Sequence, residues 1–388
     1  MPRSSSNELN DETERVEPRS AYLHVPFCHY RCGYCDFAIV TGRDDLIEPY
    51  LRAIGAELRW LSRPRAVDTL YFGGGTPSYL DASRLAELCE TVLQWHPLAA
   101  GHEWTVEANP ESLTEDRVRV LAEQGVTRLS LGVQSLDDAK LRVLDRLHCR
   151  EDVARSISLA SGAGLQVSID LIFAAPGETL EGWRRDLHDA LALEPDHIST
   201  YGLTWETGTA FTRRRTAGEL QSLDEELERA MYAEAIDTLT AAGFEHYEVS
   251  NFARPGRRSR HNEVYWAGSE YFAAGPGAAR YVGGVREVNH RSTTTYLKRV
   301  LAGESPVAER EQLSDEQRAR ERLVLGLRRL EGVDRGQFAA VAGIELNDLA
   351  GPAIARFVEM KLLSDDGTRV KLTREGLFVS DALWPELL

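Results

Sequence analysis

The sequence lacks any hydrophobic run long enough to cross a membrane. No uninterrupted apolar stretch approaches the roughly 20 residues that a transmembrane helix needs. The segment 1–20 consists of Ser, Asn, Glu, Asp and Arg with almost no apolar residues, so it cannot act as the hydrophobic part of a secretion signal. We therefore expect residues 1–20 to form a disordered polar tail and the protein to be soluble and cytoplasmic.

Positive charge is also in short supply. The 45 Lys and Arg residues are outnumbered by 61 Asp and Glu residues, which gives a formal net charge of -16. The long-range field of such a molecule repels nucleic acids and anionic membrane surfaces. We therefore expect no nucleic-acid partner.

Cysteine is scarce, and its distribution argues against a disulfide framework. There are five cysteines, and three of them crowd into Cys28-His-Tyr-Arg-Cys32-Gly-Tyr-Cys35. An odd count with this clustering favours metal binding in a reducing compartment. Three thiolates on one short loop can hold a [4Fe-4S] cubane and leave one iron free. A zinc site is the alternative, because His24 or His29 could supply a fourth ligand.

After the tail, short strand-like runs alternate with segments of helical periodicity. The strand-like runs are Tyr22–Val25, Thr69–Phe72, Trp104–Glu107, Leu129–Val133, Val167–Phe173 and Ile198–Leu203. The helical segments are Leu46–Leu61, Ala82–Trp95, Glu115–Glu123, Asp152–Ala163 and Leu180–Leu193. Each helical segment is long enough to connect two parallel strands. The predicted fold class is α/β, as a partial (β/α)6 barrel of the TIM type.

The regular alternation of strands and helices ends, and a different pattern begins near residue 313. Short helices there are followed by a turn at Asp366-Gly367, a strand over Val370–Leu372 and a helix capped by Thr373. This order resembles a small winged-helix module. The predicted domains are a tail (1–20), a barrel core (21–245), a linking segment of aromatic and basic residues (246–312) and a C-terminal, helical, winged-helix-like domain (313–388).

Residues that can bind ligands or metals follow several of the predicted strands. They are the cysteine loop, Gly73-Gly74-Gly75-Thr76-Pro77, Glu107, Gln134 and Asp170. Chemistry in β/α barrels gathers at the carboxyl ends of the strands, so these residues should meet at one mouth. Glycines allow backbone N–H groups to approach a ligand, although a tight turn also uses them. An ionised Glu107 can accept hydrogen bonds from ribose hydroxyls, although a solvated charge would look the same.

The cysteine spacing, with an aromatic residue before the last cysteine, resembles that of the radical S-adenosylmethionine (SAM) superfamily. The resemblance implies that the amino and carboxylate groups of SAM bind the free iron. Reduction of the cluster then yields a 5′-deoxyadenosyl radical, and this chemistry belongs to the cofactor. The positions that match SAM contacts in the superfamily are Tyr22, Tyr34, Gly74, Gly75, Thr76, Glu107, Gln134, Arg146 and Asp170.

From Ala21 onwards the chain resembles the oxygen-independent coproporphyrinogen III oxidase group. The shared motifs are His-Val-Pro-Phe-Cys, Gly-Gly-Gly-Thr-Pro-Ser, Gly-Val-Gln-Ser and Asp-Leu-Ile. Oxidases of this group have a fourth cysteine two residues after the third, where this chain has Phe37. The HemW-type haem chaperones have Phe at that position and a His-Asn-x-x-Tyr-Trp motif, which is present here from His261 to Trp266. The resemblance therefore favours the chaperone branch.

That motif implies a set of haem-binding residues, namely His261, Asn262, Tyr265 and Trp266. A neutral imidazole can bind haem iron, and aromatic neighbours can wall the macrocycle. We expect this haem to lie near the cluster face of the barrel. Three guanidinium groups precede the motif and could pair with the two haem propionates, or could form a solvated basic loop. They belong to Arg257, Arg258 and Arg260.

Three functions compete on this evidence. The first is a haem chaperone that carries a cluster and SAM and transfers haem to haem-requiring apoproteins, such as respiratory enzymes, including ones at the membrane surface. The second is the radical SAM oxidase, against which Phe37 argues, so an enzymatic activity stays undecided. The third is nucleic-acid binding by the C-terminal module, which Asp365-Asp366 at its turn disfavours. The oligomeric state is open, and a homodimer is one option.

Overall fold

The computed structural model describes residues 17–388, so most of the predicted tail lies outside the described residues. In the first part of the chain, strands and helices alternate. The strands are β1 (Ser20–Val25), β2 (Phe27–Cys28), β3 (Val40–Thr41), β4 (Val67–Gly74), β5 (Leu98–Ala108), β6 (Arg128–Gln134), β7 (Gln166–Phe173) and β8 (His197–Gly202). The helices are α1 (Ile47–Leu58), α2 (Ala82–Trp95), α3 (Glu115–Gln124), α4 (Asp138–Val143), α5 (Arg150–Gly162), α6 (Leu180–Ala192), α7 (Ala210–Thr216) and α8 (Glu225–Ala241).

The second part of the chain has shorter strands. They are β9 (Glu245–Glu248), β10 (Asn251–Ala253), β11 (Phe272–Ala274), β12 (Ala279–Val282), β13 (Val285–Asn289), β14 (Val307–Gln312), β15 (Val333–Asp334), β16 (Leu363–Asp365) and β17 (Arg369–Leu372). Its helices are α9 (Arg260–Trp266), α10 (Thr293–Leu301), α11 (Asp315–Leu327), α12 (Arg335–Ala342), α13 (Leu346–Glu359), α14 (Arg374–Phe378) and α15 (Ser380–Leu387).

Nine strands form the central sheet, in the order β11-β1-β4-β5-β6-β7-β8-β10-β9. Neighbouring strands from β11 to β8 are parallel, whereas β10 is antiparallel to both β8 and β9. All six predicted strands are present, which confirms the α/β prediction with a TIM-like parallel sheet. The sequence pattern does not predict β11, because a strand of three residues is too short to show a period.

Two stretches differ from their interpretation in the sequence. Ser20, placed in the polar tail, is buried as the first residue of β1, and the neighbouring Arg19 pairs with Asp68 at 2.7 Å. The linking segment 246–312, for which the sequence predicts no elements, contains β10 and the seven-residue helix α9. Elements this short carry too little periodicity to be recognised without their packing partners.

Alternation along the strands separates a hydrophobic layer from a polar lumen. On β7, Ile169 and Leu171 belong to the hydrophobic core, whereas Asp170 between them lines the lumen. Tyr71 on β4 and Glu107 on β5 line the lumen in the same way. Closed TIM barrels fill this space with branched apolar side chains. A polar lumen therefore indicates a cavity that holds a ligand.

The C-terminal domain contains α11 to α15 and a small antiparallel sheet of order β15-β17-β16. The predicted helix cap is present, because the Thr373 side chain accepts a hydrogen bond from the Gly376 N–H at 3.1 Å. The domain contacts α8 through an ion pair of Arg374 with Asp237 at 2.7 Å. None of the helices in residues 17–388 is long and apolar enough to span a bilayer.

A buried charge cluster holds the turn that follows β6. The Lys140 ammonium lies 2.5 Å from Glu178 and 3.0 Å from Asp186, and all three side chains are buried. Asp186 also accepts hydrogen bonds from the Ser135 hydroxyl and the Leu136 N–H. One cation thus joins the loops that follow β6 and β7 to α6, and these loops carry lumen residues.

Lys140→Met removes the cation and leaves two buried carboxylates without it. We expect the free energy of unfolding to fall by about 3–5 kcal/mol, the usual cost of breaking a buried ion pair. The deficit should shrink as the pH falls, because burial already raises the pKa of the Glu178 carboxyl and a proton can replace the lost cation. Urea unfolding at pH 5 and pH 8 measures both effects.

Arg150→Met is the matched control, because its ion pair with Asp189 is largely exposed. Its effect should stay below about 1 kcal/mol. Equal losses in the two variants would contradict a special role for the Lys140 cluster.

Candidate functional site

The polar lumen is a cavity of about 1260 Å³. It extends from the cysteine loop at the carboxyl ends of the strands to Arg128 and His197 at their amino ends. The three cysteines and all nine residues predicted to contact SAM line this one cavity. Its volume exceeds the roughly 300–1,000 Å³ of a pocket for one small ligand. The lumen therefore has room for more than one group.

The cysteine loop follows β1 directly and turns back on itself. The Cys35 N–H donates to the Cys32 carbonyl oxygen at 3.1 Å, which brings the two side chains onto one turn. The Cys28 sulfur lies 3.3 Å from the Thr76 hydroxyl, and the Cys32 sulfur lies 3.4 Å from the Arg146 guanidinium. Burial raises the pKa of the Cys28 thiol to about 12, so a metal that binds this sulfur displaces its proton.

One of the two candidate fourth ligands for zinc is engaged elsewhere. The His24 ring contacts the Tyr22 hydroxyl at 3.1 Å and the Ala38 carbonyl oxygen at 2.9 Å. Residues 17–388 contain no group of three or more His, Cys, Asp or Glu side chains arranged to hold a single metal ion. The cysteine ligands of a cubane bind different iron atoms, so three thiolates on one loop are a donor set that fits a cluster.

The three glycines at the end of β4 make room for neighbouring side chains. A Cβ atom on Gly73 would lie 2.8 Å from the Glu107 carboxyl carbon, and one on Gly74 would clash with the His24 ring. Gly74 also has φ +103°, which side chains disfavour. The Gly74 N–H donates to Glu107 Oε2 at 3.0 Å. The loop therefore positions a carboxylate as well as bringing backbone close to the cavity.

Two carboxyl groups line the lumen, that of Glu107 on β5 and that of Asp170 on β7. The pKa of Glu107 is raised to about 7, chiefly by burial and also by the nearby Asp170, against a hydrogen bond from Tyr71. Burial likewise raises the pKa of Asp170 to about 6, while Ser199 and Ser130 counter the shift. Groups with such displaced pKa values are typical of binding and catalytic sites. Near neutral pH the pair can change charge when a ligand binds.

Asn109 is a lumen residue that the sequence interpretation misses. Its amide donates to the Thr76 hydroxyl at 2.9 Å and accepts from Arg146 at 2.7 Å, so it joins two of the predicted SAM contacts. Asn109 lies two residues after Glu107, directly after β5, and this position is the sequence feature by which it could have been identified as a lumen residue. Gln134 is held at φ +66°, an uncommon conformation that is found preferentially at functional sites.

Helix α9 closes the amino end of the barrel. Arg128 donates to the carbonyl oxygens of Arg257 and Arg258 at 2.9 and 3.1 Å, which holds the segment before the helix. The Glu103 carboxylate accepts hydrogen bonds from the N–H groups of Arg260 and His261 at 3.2 and 3.0 Å. The buried side chains of Glu103 and Arg128 lie 3.4 Å apart. The polar floor of the lumen thus binds the start of α9.

His261 is buried within this floor, with 1% of its surface exposed. Its Nδ1 lies 3.1 Å from the Ser20 hydroxyl and 3.0 Å from the Thr69 hydroxyl, and its Nε2 lies 2.8 Å from the Tyr265 hydroxyl. The imidazole stacks on Tyr71 with a ring separation of 5.0 Å. Burial lowers the pKa of His261 to about 3, so the ring is neutral.

The haem motif therefore lies at the amino end of the barrel, opposite the cysteine loop, although the sequence leads us to expect haem near the cluster face. His261 contacts the amino ends of β1 and β4, whereas the cysteine loop follows the carboxyl end of β1. Asn262 lines the lumen from its floor, whereas Tyr265 and Trp266 line a second cavity outside the barrel. The motif lies between two cavities because a helix of seven residues presents side chains to both sides.

Two of the three arginines before the motif are already paired with protein carboxylates. Arg257 lies 3.4 Å from Asp196, and Arg258 lies 2.9 Å from Glu245. Arg260 donates to the Gly101 carbonyl oxygen at 2.6 Å and lines the second cavity. Of the three, Arg260 therefore lines the second cavity, through which a propionate could reach it.

Two family models and a solved structure match this chain. Residues 22–190 match the model of the radical SAM superfamily, and residues 313–379 match that of the HemN C-terminal domain. The solved structure of coproporphyrinogen III oxidase (HemN) from Escherichia coli has a TM-score of 0.84 at 21% identity, with 96% of this chain and 90% of that chain covered. At this identity the likeness shows the fold alone.

The curated relatives share most of their length with this chain. The haem chaperone HemW of Lactococcus lactis is 36% identical over 96% of this chain and 98% of its own length. The haem chaperone HemW of Mycobacterium tuberculosis is 38% identical over 96% of this chain and 95% of its own length. These matches span the barrel, the linking segment and the C-terminal domain. The chain therefore belongs to the HemW family of the radical SAM superfamily.

Proposed function

We propose that this protein is a haem chaperone, which binds haem and transfers it to haem-requiring apoproteins in the cytoplasm. The observation that carries the proposal is the near-full-length likeness to curated haem chaperones. Acceptors at the inner face of a membrane fit this role, and respiratory enzymes are the class we favour. The alternative is the coproporphyrinogen III oxidase reaction, whose solved representative shares the fold.

Phe37 separates the two alternatives. It stands where the oxidases have a further cysteine, it lines the rim of the lumen, and 66% of its surface is exposed. An exposed phenyl ring cannot bind a metal or transfer a proton. The position therefore favours a carrier over the oxidase.

Cys28, Cys32 and Cys35 are the residues that we propose hold a [4Fe-4S] cluster. A bound cluster supplies an iron with a free position for SAM and an electron for its cleavage. Side chains of the protein contact two of the three sulfur ligands. Arg146 places positive charge beside the Cys32 sulfur, and Thr76 contacts the Cys28 sulfur.

The SAM site that we propose occupies the upper lumen, between the cysteine loop and the two carboxyl groups. Its residues are Tyr22, Tyr34, Gly74, Gly75, Thr76, Glu107, Gln134, Arg146 and Asp170. The fit rests on the polar lining, in which the Arg146 Nε–H is buried and has no hydrogen-bond partner in residues 17–388. Such groups stabilise the site only when a ligand or water pairs with them.

SAM affinity should rise with pH through the pKa of Glu107. The cationic sulfonium and ribose hydroxyls of SAM favour the ionised carboxylate, whose pKa in the free protein is about 7. One linked proton predicts roughly a fivefold gain in affinity from pH 6 to pH 7, and a plateau above pH 8. Asp170 titrates lower, and burial raises the pKa values of the facing Tyr22 and Tyr71 hydroxyls out of this range.

Calorimetric titration of SAM into the cluster-reconstituted protein measures this dependence. Glu107→Gln should flatten the profile between pH 6 and pH 8. Glu206→Gln, which changes an exposed carboxylate at the rim of the same cavity, should leave it unchanged. A Glu107→Gln profile that keeps the wild-type slope would assign the proton to another group.

Haem titration tests the chaperone function itself. The wild-type protein, with its cluster reconstituted anaerobically, should bind one haem per chain as followed by the Soret band. The same samples should show no turnover of coproporphyrinogen III. Robust turnover without specific haem binding would restore the oxidase.

His261→Ala tests the motif in the same titration. If the motif holds haem, the variant should bind it more weakly or with an altered Soret band. His96→Ala is the matched control, because His96 is also buried and neutral, with burial lowering its pKa to about 4. Its ring packs against Phe272 and bonds to the Arg65 carbonyl oxygen, away from α9. Equal effects of both substitutions would indicate a general loss of packing.

A further inference from the structure

A second cavity lies outside the barrel, against the far side of α9. We call it the outer groove; it has a volume of about 1220 Å³ and lies between α9, the β12–β13 hairpin and α11. Its aromatic lining consists of Tyr265, Trp266, Tyr271 and Tyr281. The groove thus combines the last two residues of the haem motif with residues from the linking segment and the C-terminal domain.

The aromatic lining is built on rigid backbone. Tyr271 and Tyr281 exchange two backbone hydrogen bonds, at 2.8 and 3.1 Å, so their positions are fixed across a strand pair. The rings of Tyr265 and Tyr271 lie 4.7 Å apart and nearly perpendicular. Aromatic side chains supply large apolar faces at a low cost in conformational entropy. Such a wall suits a flat, mostly apolar ligand.

Two arginines lie one turn apart on α11 at the edge of the groove. Arg322 donates to the carbonyl oxygens of Ala267 and Gly268 at 2.6 and 2.9 Å, and forms no ion pair with any residue in 17–388. Within the same residues Arg318 pairs only with Asp315, a carboxylate that is 82% exposed. Burial lowers the pKa of Arg322, and Arg318 lowers it further.

This arrangement leaves unused capacity for an anion. A guanidinium has five N–H donors, and Arg322 uses two of its five on the end of α9. Two adjacent cations in a partly buried place repel each other, and a ligand with two negative charges removes that repulsion. Arg286, the other groove arginine on the hairpin, is already paired with Glu321 and Glu311.

We propose that the outer groove binds haem, with the porphyrin against Tyr271 and Tyr281. The two propionates then pair with Arg318 and Arg322. The inference rests on the proposed chaperone function and assigns the place of the cargo. SAM and the cluster occupy the lumen, so cargo and cofactors have separate cavities.

A comparison of haem with its dimethyl ester tests the assignment, because the ester lacks both propionate charges. The wild type should bind haem roughly a hundredfold more tightly than the ester, because each of the two propionates gains roughly tenfold from hydrogen bonds to a charged group. Arg318→Ala should weaken haem binding by roughly tenfold and leave ester binding unchanged. This variant is preferred to Arg322→Ala, because Arg322 also anchors the end of α9.

Arg150→Ala is the matched control, since Arg150 pairs with Asp189 and does not line the groove. It should bind both compounds as the wild type does. If the wild type binds haem one-to-one but Arg318→Ala keeps the same preference over the ester, the groove assignment is wrong and the chaperone function stands. If the wild type binds no haem, the groove assignment falls with the function.

Discussion

The barrel depends on pairing the polar side chains that point into its lumen. Side chains in this space are removed from bulk water, where an unpaired polar group is costly. Glu103 faces Arg128 at 3.4 Å, Tyr71 donates to Glu107 at 2.8 Å, and His197 contacts Ser168 at 2.9 Å. These pairs cross from strand to strand. They therefore hold the lumen open against collapse and tie the strand order to the chemistry of the cavity.

The same pairing closes one end of the barrel. Arg128 and Glu103 both bind backbone groups around the start of α9, so the helix is fixed to the floor of the lumen. His261 continues the contacts outward, because it stacks on Tyr71 and bonds to Tyr265. A continuous chain of contacts thus leads from Glu107, in the lumen, to Tyr265, on the outer groove. Direct iron binding by His261 requires α9 to move, because the ring is enclosed here.

The C-terminal domain gains a structural role from this arrangement. Its first helix, α11, supplies Arg318 and Arg322 to the outer groove and fixes the end of α9 through the Ala267 and Gly268 carbonyl groups. Its later helices contact α8 on the barrel. At the turn of its small sheet, Asp365 pairs with Arg335 at 2.5 Å.

The sequence by itself determined the class of fold and the residues of the lumen. Regular alternation of strands and helices indicates a parallel sheet, and parallel strands bring their carboxyl ends to one edge, so the cysteine loop, the glycines, Glu107 and Asp170 had to meet. The tertiary structure alone decided where the haem motif lies. A helix of seven residues has too little periodicity to show its partners, and its place beneath the barrel follows from Glu103 and Arg128, about 150 residues away in the chain. Likewise only the folded chain joins Tyr281, Arg318 and Trp266 into one groove, since contacts between distant segments leave no local pattern in the sequence.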